Sequence, residues 1–420
     1  MRNSASRWAL GLALAAGLLW LGQYALRAAP IAARASSAAY DVLAPFRDDA
    51  PVRTRQDWIE RRAPLLRAAF QEEVYGPLPA AAPARFESRT LIDPAAFAGA
   101  ARLEQAILRF DVGGRTFRLH ALIATPTLGP ALNAPTLLAP NFCGNAAALG
   151  GRYEAVSAPA WMPPRCRTAW SRQTTRLLHG ANIIRLPIER LTRAGYAVIT
   201  FFPGEITPDD RTLAPEALRR LDQAHAPRLG AIAAWAWTFS RVLDAARADA
   251  RFDGARLALF GHSRYGKAAL LAAALDERIA LVIANQTGRL GAALTAGARG
   301  ETIAALRARF PYWLPTPARA PHDLDQHQLV ALLAPRPVLL GGARMDAWSD
   351  PAGAFRAAEA ASPVYALFGA VGLNQRTMSD TDLNADIAAY FRSGGHGVRP
   401  IDWRMTIAFL DAHLRAGDGR

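Results

Sequence analysis

The sequence predicts an α/β domain built on a mostly parallel sheet. Three observations carry this. Apolar strand patterns alternate with helical patterns through the second half of the chain. Before them, two strand patterns are joined by Gly113-Gly114, a hairpin signal. The stretch LALFGHSRYGKAALL, residues 257–271, reads as a strand, a tight turn and the start of a helix.

In chain order, the first feature is MRNSASRWALGLALAAGLLWLGQYALR, where Arg2 and Arg7 precede an apolar run from Trp8 to Leu21. Residues 1–30 therefore read as an export signal or, uncleaved, a single-span membrane anchor. Ala33-Arg34-Ala35 could be cleaved but lies far from the apolar run, which favours the anchor. Either way the body is expected outside the cytoplasm, in the periplasm or on the extracytoplasmic side of a membrane. An Ala/Pro-rich connector is read over 31–52 and a single domain over 53–420. Trp58 to Phe70 has the spacing of an amphipathic helix, closed by VYGPLP. Residues 104–111 and 115–125 are the hairpin strands. APTLLAPNF is a short apolar strand, and RAGYAVITFFP is apolar enough to be buried on both faces. GAIAAWAWTFSRVLDAARA is a long helix leading into the strand RLALFG. IALVIANQ and RPVLLGGA are further strands, each after a helical stretch, and WRMTIAFLDAHLRA is a closing amphipathic helix.

The 420 residues are 51% hydrophobic and 20% charged, which excludes a disordered chain. Lys+Arg total 49 against Asp+Glu 35, a net charge of +14. Almost all of the basic residues are arginine, and Lys267 is the only lysine. A lone lysine in a Gly-rich turn marks a site that needs a compact ammonium. The basic residues form no block and no nucleic-acid motif, so nucleic acid is not an expected partner; an anionic membrane surface or an acidic polysaccharide fits the charge. Cys143 and Cys166 either pair in an oxidising compartment or are two buried thiols. The eight histidines lack metal-ligand spacing, and neither a metal nor another cofactor is expected.

The turn at 261–267 admits two chemistries. Gly261, Gly266 and Lys267 satisfy the opening of a phosphate-binding loop. That loop needs Ser or Thr after the lysine to ligate Mg²⁺, and Ala268 stands there. The alternative is a nucleophile elbow presenting Ser263. Its partners follow in the order of the α/β-hydrolases, serine then acid then histidine. GGARMDAWSDP carries an acidic pair at a strand end, and FRSGGHGVRPIDW places His396 in a Gly-rich loop before the last helix. Arg264 falls in the first helical turn, where a cation opposes the helix dipole. Beside a nucleophile it could stabilise an oxyanion.

GHSRYGK resembles the signature G-C/H-S-R-x-G-K of the glucuronoyl esterases, carbohydrate esterase family 15. EEVYGPLP, RAGYAVITFFPGEITPD, GAIAAWAWTFSRVLD, GETIAALRARFPYWL, DQHQLVALLAPRPV, DAWSDPAGAF and GGHGVRPIDW resemble other family segments in family order, spanning Trp58 to Trp403. The resemblance implies an α/β-hydrolase fold, no metal, and cleavage of 4-O-methyl-glucuronic acid esters that join glucuronoxylan to lignin alcohols. It implies that Ser263 is the nucleophile, His396 the base and Arg264 the oxyanion partner. Lys267 would bind hydroxyls of the uronic acid, and Trp348 would line the sugar site. The family's acid follows either of two strands. Gln286 stands at the first position and cannot ionise, which leaves MDAWSDP and Asp346; Asp350, before Pro351, is expected to cap the next helix. Two segments depart from the family. Its Gly-Asn-His-Thr reads Gly144-Asn145-Ala146-Ala147, and Arg289 and Leu290 intrude in TGRLGAAL. An esterase of the same fold acting on acetyl or other simple esters, and a non-catalytic carbohydrate-binding relative, are the rival expectations.

Overall fold

A computed structural model of the chain describes residues 40–80, 83–128, 133–222, 228–295, 300–315 and 323–415. The leader or anchor expected over 1–30, and the connector as far as residue 39, lie outside them. No helix among the described residues is long and apolar enough to cross a membrane. A compact unit begins at Asp41. Part of the stretch read as connector therefore belongs to the folded body: Val42, Phe46 and Val52 are buried in the core. The guanidinium of Arg62 ties this segment down, donating to Asp49, to the carbonyl of Val42 and to that of Ala50.

One nine-stranded sheet forms the centre, in the order β1-β2-β3-β5-β4-β6-β7-β8-β9. The strands are β1 (Arg85–Ala95), β2 (Ala101–Val112), β3 (Arg115–Pro126), β4 (Ala134–Pro140), β5 (Ala197–Phe201), β6 (Phe252–His262), β7 (Leu281–Asn285), β8 (Val338–Ala343) and β9 (Ile387–Arg392). From β1 to β5 the neighbours run antiparallel; from β5 through β4 to β9 they run parallel. The expected hairpin is β2–β3, with Gly113 and Gly114 both at positive φ in the two-residue turn.

Side-chain alternation along the parallel strands builds two cores. On β6, Leu257 and Leu259 enter the core that holds Trp235 and Tyr265. Ala258 and Phe260 enter the opposite one, against Trp403. Two faces buried at once explain why these strands read as continuous apolar runs. The helices Ala231–Arg247 and Pro400–Leu410 cover the sheet much where their patterns place them.

Two strands have no counterpart in the sequence reading. β1 is a largely exposed edge strand rich in charge, so it shows no apolar alternation, and it exists because β2 pairs with it. β9 is fully buried and holds Ile387, Tyr390 and Phe391, which favour strands, but so short an apolar run is not separable from a buried helix segment by sequence alone. Parallel pairing with β8 decides it.

Cys143, just after β4, and Cys166 form a disulfide, with Cα atoms 5.3 Å apart. This settles the two alternatives in favour of pairing. The bond closes a loop of 23 residues' separation, and a loop of this size contributes about 3 kcal/mol through the unfolded chain. Urea unfolding of the oxidised protein and of Cys166→Ser should differ by that amount. Coincident transitions would show that the unfolded chain keeps this loop restrained without the bond.

Candidate active site

Parallel strands present their carboxyl ends on one edge, and every candidate group is carried by a segment that leaves that edge. Ser263 lies between β6 and the helix Arg264–Leu275, at φ 55° and ψ −125°. A non-glycine residue there costs on the order of 1–3 kcal/mol, and such strain clusters at functional sites. The turn is held by the Ser263 N–H donating to the Asn285 carbonyl at 2.8 Å. It also needs two close approaches. A Cβ on Gly261 would lie 2.2 Å from the Tyr265 carbonyl oxygen, and one on Gly266 would lie 2.7 Å from Thr287 Cγ2. That accounts for the spacing G-x-S-x-x-G. Between the glycines, Tyr265 packs against Phe142 and Trp235 with ring centroids 4.8 and 5.4 Å away.

The structure brings Ser263, His396 and Asp346 together. His396 Nε2 is 3.1 Å from Ser263 Oγ, and Nδ1 is 2.7 Å from Asp346 Oδ2. Asp346 directly follows the turn after β8, and its other carboxylate oxygen accepts from the Ser349 N–H at 3.3 Å. Burial pushes this carboxyl's pKa up, but the His396 hydrogen bond, the His396 charge and Ser349 outweigh it, and the net shift is downward. Asp350 stands apart from this chain of bonds. It adopts a left-handed conformation and caps Pro351–Leu367 through a 3.0 Å bond from the Gly353 N–H.

Two side chains shape the histidine loop. Arg392, at the end of β9, donates to the carbonyls of Ser393, Gly395 and Gly397 while its Nε meets both carboxylate oxygens of buried Asp402 at 2.9 Å. Gln286 pairs with Gly397 in both directions, accepting its N–H at 2.8 Å and donating to its carbonyl at 3.1 Å. An ionised carboxylate at position 286 could accept but not donate. The residue that cannot serve as the acid is thus a clamp on the segment next to His396.

Arg264 heads the elbow helix with its guanidinium buried. Burial lowers that group's pKa and Arg165 adds to the effect. The Asp209 carboxylate is in direct contact with it, and the group stays cationic at neutral pH. Asp209 also accepts from Tyr312 Oη at 2.7 Å and Trp313 Nε1 at 2.9 Å. Its charge is what makes a cation tolerable in the first helical turn.

Lys267 is buried, and its three N–H donors meet the carbonyl of Thr287 at 2.6 Å, that of Arg289 at 2.5 Å, and the carboxylate of Glu301. Burial lowers its pKa and Glu301 counters this. At the intrusion, Arg289 meets Lys267 through its backbone carbonyl, which any residue there would supply. Gly288 must lack a side chain, since a Cβ there would lie 2.2 Å from Glu301 Oε1. Such a lysine is no phosphate cradle. Trp348 lies on the same side. Its indole is exposed, and its carbonyl accepts the Glu301 N–H at 2.9 Å. Asn145, in the altered Gly-Asn-Ala-Ala stretch, is buried and bonded to Asn141 and the His120 carbonyl. Among the described residues no cluster of His, Cys, Asp and Glu could hold a metal ion.

Sequence reasoning missed Glu301, Asp209 and Ser349. All three stood in segments already singled out, Ser349 in DAWSDPAGAF, Glu301 in GETIAALRARFPYWL and Asp209 in RAGYAVITFFPGEITPD. Nothing in one dimension indicates that Glu301 meets Lys267 or that Asp209 meets Arg264.

A family model described as "Glucuronyl esterase, fungi" matches residues 180–369. The chain is 31% identical over 398 residues to carbohydrate esterase MZ0003 of an unknown prokaryotic organism, covering 88% of each. It is 31% identical over 155 residues to a 4-O-methyl-glucuronoyl methylesterase of Hypocrea jecorina, covering 33% of this chain and 34% of that one. A solved glucuronoyl esterase from Solibacter usitatus superimposes with a TM-score of 0.76 at 30% identity, over 89% of this chain and 97% of the other. A CE15 esterase from a marine bacterial metagenome gives 0.77 at 30% identity, over 89% and 96%. With its α/β-hydrolase sheet, its elbow and these likenesses, the chain belongs to carbohydrate esterase family 15, the glucuronoyl esterases, and is a carboxylic ester hydrolase.

Proposed function

We propose that this enzyme hydrolyses esters of (4-O-methyl-)glucuronic acid, as in the linkages between glucuronoxylan and lignin alcohols, through an acyl-enzyme on Ser263. The observation that carries this reading is the His396 imidazole bonded at one end to Asp346 and at the other to Ser263. Ser263 Oγ attacks the ester carbonyl carbon while His396 Nε2 takes its proton. The Arg264 backbone N–H and guanidinium offset the charge on the carbonyl oxygen. His396 returns the proton to the departing alcohol as the C–O bond breaks. Water, deprotonated by the same imidazole, then frees the uronate and restores the serine. Asp346 holds the imidazole tautomer and stabilises its charged form. Lys267, Glu301 and Trp348 would meet the sugar. The disulfide supports export of the enzyme, and the leader is either removed or retained as an anchor.

A second reading, an esterase of simple acetyl esters, draws on the complete use of Lys267's donors by Thr287, Arg289 and Glu301. Rates on a benzyl glucuronate ester and on an acetylated sugar, for wild type and Lys267→Ala, separate the two. Uronate activity that exceeds acetyl activity and falls in the variant supports the first. A preference for acetyl, untouched by the substitution in folded protein, establishes the second. The variant also leaves Glu301 buried and uncompensated, which costs about 3–5 kcal/mol, so thermal melting accompanies the rates.

A further inference from the structure

The Cβ tether and the hydrogen bonds to Asp346 and Ser263 set the plane of the His396 ring. Those bonds tolerate some tilt, and contacts on the ring faces narrow it. His262, the last residue of β6 and the neighbour of the nucleophile, is 2% exposed. Its ring lies against that of His396, with centroids 4.8 Å apart and planes tilted by 42°. On another side it meets the Phe142 ring at 6.0 Å, edge to face. His179 also approaches His396, edge to face at 6.3 Å, with Nδ1 3.1 Å from the His396 carbonyl oxygen.

Neither nitrogen of His262 has a hydrogen-bond partner among the described residues. A buried polar atom left so costs about 1–3 kcal/mol, and an exception of this kind calls for a reason. No described residue engages the nitrogens, so what the residue supplies is a flat ring of this size at this place. We infer that His262 is a positioning residue for the acyl transfer, a ring that backs His396 and holds its plane in line with Ser263 Oγ. Burial pushes the His262 pKa well below its ordinary value, and the nearby Arg392 adds to this, so the ring does not repel the imidazolium that His396 becomes.

The inference rests on the proposed Ser263–His396 chemistry, and its test separates the two. Wild type, His262→Leu and His262→Phe are compared for kcat and KM on a benzyl glucuronate ester, for thermal melting, and for the rate of fluorophosphonate labelling at Ser263. Leucine removes the flat ring and keeps the bulk. It should lower kcat and the labelling rate together by roughly 10- to 100-fold with KM nearly unchanged, the scale set by small misplacements of reacting groups. Phenylalanine restores a flat ring without nitrogens and should recover both rates to within about threefold while melting no lower than leucine. A folded leucine variant with wild-type kcat, or a folded phenylalanine variant as slow as leucine, overturns the inference. Wild type that is active but unlabelled at Ser263 overturns the nucleophile assignment instead.

Discussion

Ser263→Ala should lower kcat on a benzyl glucuronate ester by about 10⁶-fold, the loss seen when a triad serine is removed. That corresponds to about 8 kcal/mol of transition-state stabilisation. The reason is chemical rather than structural. Without Oγ the acyl-enzyme cannot form, and Arg264, the helix terminus and the binding groups can only assist direct attack by water. The fold should survive. Alanine fits the same space, the N–H bond to Asn285 stays, and the left-handed conformation is no worse for alanine than for serine. Steady-state hydrolysis with thermal melting on the same preparation is the check. A folded variant that retains its esterase rate would place the nucleophile elsewhere.

Asp346→Asn should come next, with a loss of about 10⁴-fold in kcat. The amide keeps the side chain's shape but can present its NH₂ to His396 Nδ1, which favours the wrong tautomer and leaves the developing imidazolium without a counter-charge. Asp350→Ala is the matched control. It removes a helix cap, costing about 1 kcal/mol of stability, and should leave the rate nearly intact. A reversal of these two outcomes would move the acid to position 350. Asp346 also carries a pH prediction. Its folded pKa lies below its unfolded value, so its stabilisation is present above the unfolded value and is lost as pH falls through the folded one. Unfolding free energies of wild type and Asp346→Asn should therefore converge only in strong acid. A difference that stays constant down to that range would show that the carboxylate charge contributes nothing to the fold.

The buried parallel strands were legible because each has to be apolar on both faces, as Ala197–Phe201 is. The hairpin was legible because Gly113-Gly114 has one local meaning. Ser263, Asp346 and His396 could be picked out because each sits in a distinctive local setting: a strand-turn-helix, a strand end, a Gly-rich loop before a helix. β1 and β9 were not legible: β1 carries no apolar pattern, the apolar run of β9 is too short to tell from a helix segment, and both are decided by a partner strand. Lys267 was singled out for its rarity and for a sugar contact. The structure adds that its donors already meet Thr287, Arg289 and Glu301, a fact about which groups turn inward and one that composition does not record.

By itself, the sequence determined the α/β class, the parallel core, the elbow at Ser263 and the order of its partners, because these follow from short-range periodicity and turn chemistry. Tertiary structure alone decided that Cys143 meets Cys166, that Gln286 clamps Gly397, that Asp209 neutralises Arg264 and that His262 lies against His396. Each of these joins residues far apart in the chain or turns on side-chain direction, and such contacts are set by how strands and loops pack across the sheet edge rather than by any neighbour in sequence.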